Sequence, residues 1–254
     1  MSARITVETP SLEGLVETGM LQLESLHPGG LTTTRELAAA CAIGRGSAVL
    51  DVASGTGETA CFLADVLGAR VSGVDHSEDM VRRAEAKATE RGLDIRFEQA
   101  DAAALPFDDE TFDAAICECT LCFLDKPRVL AEMARVVRSG GFVGMHDLCW
   151  EDGAPAELSA ALADIEGEEP ETLQGWRALF DDAGLQRIET VDKSDVKSRW
   201  MRDSRKQLGW WGQLALTARI VKRWGLRGAF RVLRSERVFS STHLGYAIVV
   251  GTKP

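Results

Sequence analysis

One stretch constrains the fold of this chain more than any other: Val49-Leu50-Asp51-Val52-Ala53-Ser54-Gly55-Thr56-Gly57-Glu58-Thr59-Ala60. A short apolar run ends in an acid, two glycines follow two residues apart, and a helical pattern starts near Glu58. The pattern reads as strand, tight turn, helix. Glycine serves a turn of this kind because without a Cβ the backbone can bend sharply and a ligand can approach it closely.

The same unit repeats downstream. After the first strand, Ala48 to Val52, a helix is expected from Glu58 to Leu67. Arg70 to Val74 is a second strand ending at Asp75, and Ser77 caps the next helix, with Glu78 and Asp79 in its first turn suiting the helix dipole. A third strand, Asp94 to Gln99, leads to Asp101. A fourth covers Phe112 to Cys117, a helix from Pro127 to Val137 stops at Ser139-Gly140-Gly141, and a fifth strand begins at Phe142 and reaches His146 or a little beyond. Alternating strands and helices imply a parallel sheet covered on both faces. Further on, short helices are expected at 156–165 and 172–183, a sixth strand at 185–191 and a buried seventh at 244–251. On the N-terminal side, residues 12–26 form an amphipathic helix, His27-Pro28-Gly29-Gly30 breaks it, and Thr32 or Thr33 caps a second helix to Ile43. The whole, 1–254, reads as one domain, with 1–46 a helical cover.

Composition excludes several classes. No run of about 18 apolar residues is present to span a bilayer, and the N-terminus lacks the apolar core of a secretory signal. A cytoplasmic protein is expected, with six reduced cysteines and no metal site. A net charge of −10 argues against nucleic-acid binding, yet residues 193–240 carry thirteen Lys/Arg against three acids.

The glycine turn, as Gly55-x-Gly57-x-x-Ala60, also fits a loose dinucleotide pattern. The neighbouring charges choose the ligand. In open parallel sheets ligands sit beyond the carboxyl ends of the strands, and three of those ends carry acids: Asp51, Asp75 and Asp101. A pyrophosphate suits such a crevice poorly and a cation suits it well. S-adenosylmethionine carries both a sulfonium and an ammonium. Asp75 is placed to accept the two ribose hydroxyls, each charge-assisted bond contributing about 1.5–3 kcal/mol, and Asp101 the adenine amine, with the Ala102 N–H beside it.

With these residues in view the chain resembles the class I S-adenosylmethionine-dependent methyltransferases, in particular the group like the ubiquinone/menaquinone methyltransferases. The resemblance runs over residues 26–150, through Val49 to Gly57, Val74-Asp75-His76-Ser77-Glu78-Asp79-Met80, Gln99 to Phe107, Phe112-Asp113-Ala114-Ala115 and Arg135 to Gly141. It implies a Rossmann-like, doubly wound α/β fold of seven strands with the last antiparallel, N-terminal helices and a helical insertion before the last strand. It also implies S-adenosylmethionine as co-substrate, contacted by Asp51, Ser54, Gly55, Thr56, Gly57, Asp75, His76, Met80, Asp101, Ala102 and Cys117. One departure is Ala53-Ser54, where many relatives have a Gly-Cys pair.

The acceptor is expected to be a small molecule at the ends of the fourth and fifth strands, where Cys117, Cys119, Cys122 and Cys149 cluster. The stretch Ile116 to Cys122 loosely resembles a region of the arsenite methyltransferases, and soft thiolates bind thiophilic centres; no cysteine follows Cys149, unlike that family. Small buried hydrophobes are the alternative reading of these thiols. His146 is the candidate general base, with Cys119 and Cys122 the other candidate catalytic residues.

The basic, tryptophan-bearing segment 193–240 has three readings: a solvated face, a contact with an anionic partner or membrane surface, or a lid inserted before the last strand. The lid reading goes with an apolar acceptor, helped by an anionic group, and makes Trp210 and Trp211 pocket walls. A non-catalytic, cofactor-sensing module acting through its basic face is the rival from another class.

Overall fold

The computed structural model describes residues 29–254, apart from the side chains at 196–209, 211, 213 and 214. The helix expected at 12–26, residues His27 and Pro28, and the side chains of Trp200 and Trp211 lie outside the described residues.

The elements in order are α1 (Gly30–Ala40), β1 (Ala48–Val52), α2 (Glu58–Asp65), β2 (Arg70–Asp75), α3 (Glu78–Glu90), β3 (Arg96–Gln99), β4 (Phe112–Glu118), a 3-10 turn (Leu121–Phe123), α4 (Lys126–Val136), β5 (Val137–Trp150), α5 (Ala156–Glu166), β6 (Glu171–Thr172), α6 (Leu173–Asp182), β7 (Gln186–Asp192), α7 (Ser194–Phe239) and β8 (Leu244–Thr252). The sheet order is β3-β2-β1-β4-β5-β8-β7, with the two-residue β6 beside the end of β5. β1 to β5 run parallel, and β8 is antiparallel to both β5 and β7. The expected doubly wound sheet with an antiparallel last strand is therefore present, and α7 enters the chain between β7 and β8. The strand order reverses beside β1, so β1 and β4 flank the crevice in which such sheets hold ligands.

Alternation along the central strands divides the core. Leu50, Val52, Ala115, Cys117 and Met145 face α4 and α6, through Leu130, Met133, Trp176 and Phe180. Val49, Ala114 and Ile116 face α1 to α3, through Leu37, Phe62, Leu63 and Ala84. Strands buried on both faces read as continuous apolar runs for this reason. A third cluster joins the ends of β5 and β8 to α5 and α7, through Leu148, Trp150, Leu162, Ile165, Phe239 and Tyr246.

Local chemistry sets the helix starts. Ser77 Oγ accepts from Met80 N at 3.4 Å, and Thr172 Oγ1 accepts from Gly175 N at 3.1 Å. α1 differs from expectation. It begins at Gly30, behind a left-handed Gly29, so Thr32 and Thr33 lie within it instead of capping it, and Thr33 and Thr34 are buried. The Thr34 hydroxyl has a stronger acceptor in a carboxylate across the site, described below. β5 also differs: it starts at Val137, directly after α4, and runs to Trp150, so Ser139-Gly140-Gly141 lies in the strand and His146 sits inside it, not at its end. Gly140 N donates to Lys253 O at 2.8 Å, which is how the strand absorbs the glycines. Among the described residues no helix is long and apolar enough to cross a membrane.

Candidate functional site

The loop after β1 takes a conformation that few side chains tolerate. Ala53, Gly55 and Gly57 have φ of 58°, 51° and 75°. At Gly57 there is no room either: a Cβ would lie 2.9 Å from Ala84 Cβ and 3.0 Å from the Phe97 ring. At Gly55 a Cβ would meet none of the described residues within 4 Å. Ala53 carries the departure from the Gly-Cys pattern, and its left-handed backbone costs about 1–2 kcal/mol that a glycine would avoid.

Asp75 organises the crevice beside this loop. Its Oδ2 accepts from Gly55 N and its Oδ1 from Ser77 N, each at 2.9 Å. An ionised carboxylate has about four lone-pair sites, so two backbone bonds orient it and two sites remain for the hydroxyls of a ribose. His76 follows with its side chain 88% exposed and Nδ1 3.5 Å from Asp75 Oδ1. Met80 is half-buried on the first turn of α3. Asp101 is exposed beyond β3, its Oδ1 accepting from Ala103 N at 2.9 Å, with Ala102 half-buried beside it. Lys87 Nζ donates to Thr56 Oγ1 at 3.1 Å. Ser54 Oγ is buried, stands 3.0 Å from where a Cβ on Gly73 would be, and has no hydrogen-bond partner among the described residues.

Asp51 is the test of the ligand's charge. It is buried, accepts from Ala60 N, and its Oδ2 has no hydrogen-bond partner among the described residues. Burial, and next the charge of Glu118, push its carboxyl well above the ordinary range. An orphaned buried carboxylate oxygen beside a glycine turn is costly unless a cation or donor meets it. A pyrophosphate would worsen that cost, whereas the ammonium and sulfonium of S-adenosylmethionine relieve it. The residues present fit that co-substrate.

The end of β4 is organised by Glu118, its last residue. Its side chain is 5% exposed, and it accepts from Thr34 Oγ1 at 3.0 Å and from Thr59 Oγ1 at 2.7 Å, tying α1 and α2 to the strand end. His146, wholly buried on β5 directly opposite Glu118, places Nδ1 3.9 Å from Glu118 Oε1 and 3.9 Å from Cys119 Sγ, and its ring centroid lies 5.4 Å from that of Tyr246. Cys119 is half-buried and left-handed, φ 52°, with its N–H on His146 O at 2.7 Å. Glu118, Thr34, Thr59 and Tyr246 were not singled out by the sequence. The signal was available for Glu118, a fourth acid at a fourth strand end, hidden between two cysteines.

The cysteines do not gather into one site. Cys117 faces the α4/α6 core, Cys122 lies in the third cluster under α7, and Cys149 is in the α4/α6 core. Cys117 thus has only backbone to offer the cofactor. Burial pushes the thiols of Cys117, Cys119 and Cys122 well up, the neighbouring carboxylates adding to it, so they stay protonated. Cys122 N donates to Asp147 Oδ2 at 3.3 Å, which secures the 3-10 turn. Among the described residues no group of three His, Cys, Asp or Glu is arranged to hold a metal ion. Trp210, expected to wall a pocket, is 71% exposed.

Two of the five quoted motifs turn out to brace the site. Asp113 Oδ2 accepts from Ala48 N at 2.8 Å, fixing the start of β1 to β4. Arg135 donates to the carbonyls of Leu105 and Phe107 at 3.0 and 2.8 Å, holding the loop that follows Asp101.

Residues 49–141 match the profile of a family described as a methyltransferase domain. Over 172 residues the chain is 33% identical to an uncharacterized protein of Haemophilus influenzae, covering 65% of this chain and 68% of that one. It is 28% identical over 199 residues to phosphoethanolamine N-methyltransferase 1 of Triticum aestivum, 76% of this chain but only 39% of the wheat protein. Among solved structures, phosphoethanolamine N-methyltransferase 2 of Haemonchus contortus in complex with S-adenosyl-L-methionine superposes with a TM-score of 0.76 at 17% identity, over 90% of this chain and 54% of that one. The [4+2]-cyclase SpnF superposes at 0.73 with 24% identity, over 92% and 85%. At these identities the structural likeness is one of fold.

Proposed function

The chain belongs to the class I S-adenosylmethionine-dependent methyltransferases, and from that premise we propose that it transfers a methyl group to a small-molecule acceptor held between the ends of β4 and β5. The observation that carries the reading is the set of acids around the glycine turn, above all the unpartnered Asp51 Oδ2. When bound, S-adenosylmethionine supplies an electrophilic methyl on a sulfonium. Asp75 would take its ribose hydroxyls, Asp101 and Ala102 its adenine edge, and Asp51 its cationic end. Much of the rate of an in-line displacement comes from positioning, which the braced strand ends provide.

Glu118 and His146 face the acceptor side. Glu118 is held by Thr34 and Thr59 and supplies negative charge where a cation develops or departs. His146 takes the proton of an acceptor that must lose one. Cys119 and Tyr246 line the same corner and give it an apolar and weakly polar wall. Thiolate capture of arsenite gains no support from thiols that their surroundings hold protonated and that divide between two clusters. A cofactor-sensing module, or a reaction other than methylation such as that of the cyclase of the same fold, differs in outcome: cofactor binds and no methyl moves.

Calorimetric titration tests the first step. S-adenosylmethionine or S-adenosylhomocysteine binds, and Asp75→Ala weakens it about tenfold or more, the loss expected for charge-assisted bonds. Tight NADH binding with neither of these ligands would overturn the reading.

A further inference from the structure

The second half of α7 shows two opposed faces. Gly228, Ser235 and Phe239, seven and four residues apart, lie on one side of the helix and are buried against the protein. On the other side Leu226, Phe230 and Leu233, four and three apart, stand 74%, 77% and 60% exposed. A single exposed leucine needs no explanation, but three large apolar side chains in one stripe form a patch. Arg227, Arg234 and Arg237 are exposed along the same stripe, and with Phe230 and Leu233 they line an open groove of about 710 Å³ beside Asp164. Arg231 is committed inward: its Nη2 donates to the carbonyls of Asp164 and Ile165 at 2.5 and 3.0 Å, fastening α7 to α5. Residues 219–237 hold seven Lys/Arg and the single acid Glu236, in a chain of net charge −10.

The charge selects the occupant. A second copy docked about a two-fold axis would set this arginine array against itself, and a polyanion such as nucleic acid would leave the apolar stripe exposed. An anionic bilayer satisfies both features: apolar side chains enter the acyl boundary while guanidinium groups reach the phosphates. Arg234 Nη1 lies 3.5 Å from Asp164 Oδ2, the one acid at this groove among the described residues. We propose that residues 226–237 form a docking surface for an anionic phospholipid bilayer, with Leu226, Phe230 and Leu233 inserted and Arg227 and Arg237 on the headgroups. The helix end beyond this surface, Val238 and Phe239, packs in the cluster that contains Tyr246 and Cys122. Docking therefore brings the acceptor side of the site close to the membrane, where an apolar acceptor would be found.

Co-sedimentation of the full chain with vesicles of phosphatidylcholine alone, and of phosphatidylcholine mixed with phosphatidylglycerol, tests the proposal. The protein partitions onto the anionic vesicles and not the neutral ones, and added salt releases it. The R227Q/R237Q variant loses about 30-fold in partition, from the contribution of each basic residue near such a surface, and L226S/F230S/L233S loses binding at low salt as well. S-adenosylhomocysteine binding, measured on both variants, stays at the wild-type value and shows that the fold and the cofactor site are intact. Failure to bind anionic vesicles, equal partition of wild type and both variants, or a dimer in light scattering that the apolar triple variant dissociates, would each overturn the proposal.

Discussion

Replacing Asp51 by Asn is expected to stabilise the protein and weaken its cofactor in the same stroke. The Asn carbonyl keeps the bond from Ala60 N, and the neutral amide leaves no negative charge to bury, although its NH2 is as unpartnered as the Oδ2 it replaces. Wherever Asp51 is ionised, removing that buried charge is worth about 1–3 kcal/mol, a rise of several degrees in melting midpoint for a domain of this size. Loss of the charge that meets the cationic end of S-adenosylmethionine costs about 1.5–3 kcal/mol, or about 10- to 150-fold in affinity. The pH dependence has a defined sign. Burial raises the folded carboxyl of Asp51 above its unfolded value, so the stability of the neutral form is fully present in acid and is lost as pH rises through the folded value. The advantage of Asn is therefore absent in acid and reaches its full size at higher pH. Thermal melts over a pH series, paired with calorimetry, read both effects. A lower midpoint at neutral pH, or unchanged affinity for S-adenosylmethionine, would refute the reasoning.

Other perturbations follow from the same geometry. Gly57→Ala places a Cβ 2.9 Å from Ala84 Cβ on a backbone at φ 75°, and denaturant unfolding should register a loss of about 2–4 kcal/mol. Thr34→Val removes the α1 donor to Glu118 while the Thr59 donor remains; the loss is about 1.5–3 kcal/mol, and amide exchange should rise across α1 before it rises in the sheet. Cys119→Ser and Cys122→Ser should leave any response of tryptophan fluorescence to As(III) as weak as in wild type; a strong wild-type response that either substitution removes would restore the thiophilic reading.

The alternating strands and helices were legible because each central strand is buried on both faces and each helix shows one apolar side, so period and length alone located β1 to β5 and β8. Ser77 also kept the capping role its spacing implies. What escaped was set by partners distant in sequence. Thr34, which no local pattern marks, acts on Glu118, 84 residues away. Ser139-Gly140-Gly141 reads as a stop, yet pairing with the end of β8 draws it into β5. In the site, the acids at strand ends were visible because each closes an apolar run, and Asp51 and Asp75 do meet the segment that carries the glycine turn, through Ala60 N and Gly55 N. The Glu118 network was not, since it is assembled from α1, α2, β4 and β5, and no spacing within one element announces it. The cysteines divide between two clusters: Cys117 and Cys149 join the α4/α6 core, whereas Cys119 and Cys122, on the turn after β4, pack with the cluster under α7.

The most direct measurement is turnover. Purified protein with S-adenosylmethionine is offered a panel of amines, phenols, quinols, thiols and metalloids, and S-adenosylhomocysteine release is scored beside the methylated product. The account predicts stoichiometric release with one acceptor class, lost in Asp75→Ala through cofactor affinity and reduced in His146→Gln with cofactor affinity kept. Tight cofactor binding with no methyl transferred to any class, and no dependence on His146, would contradict it.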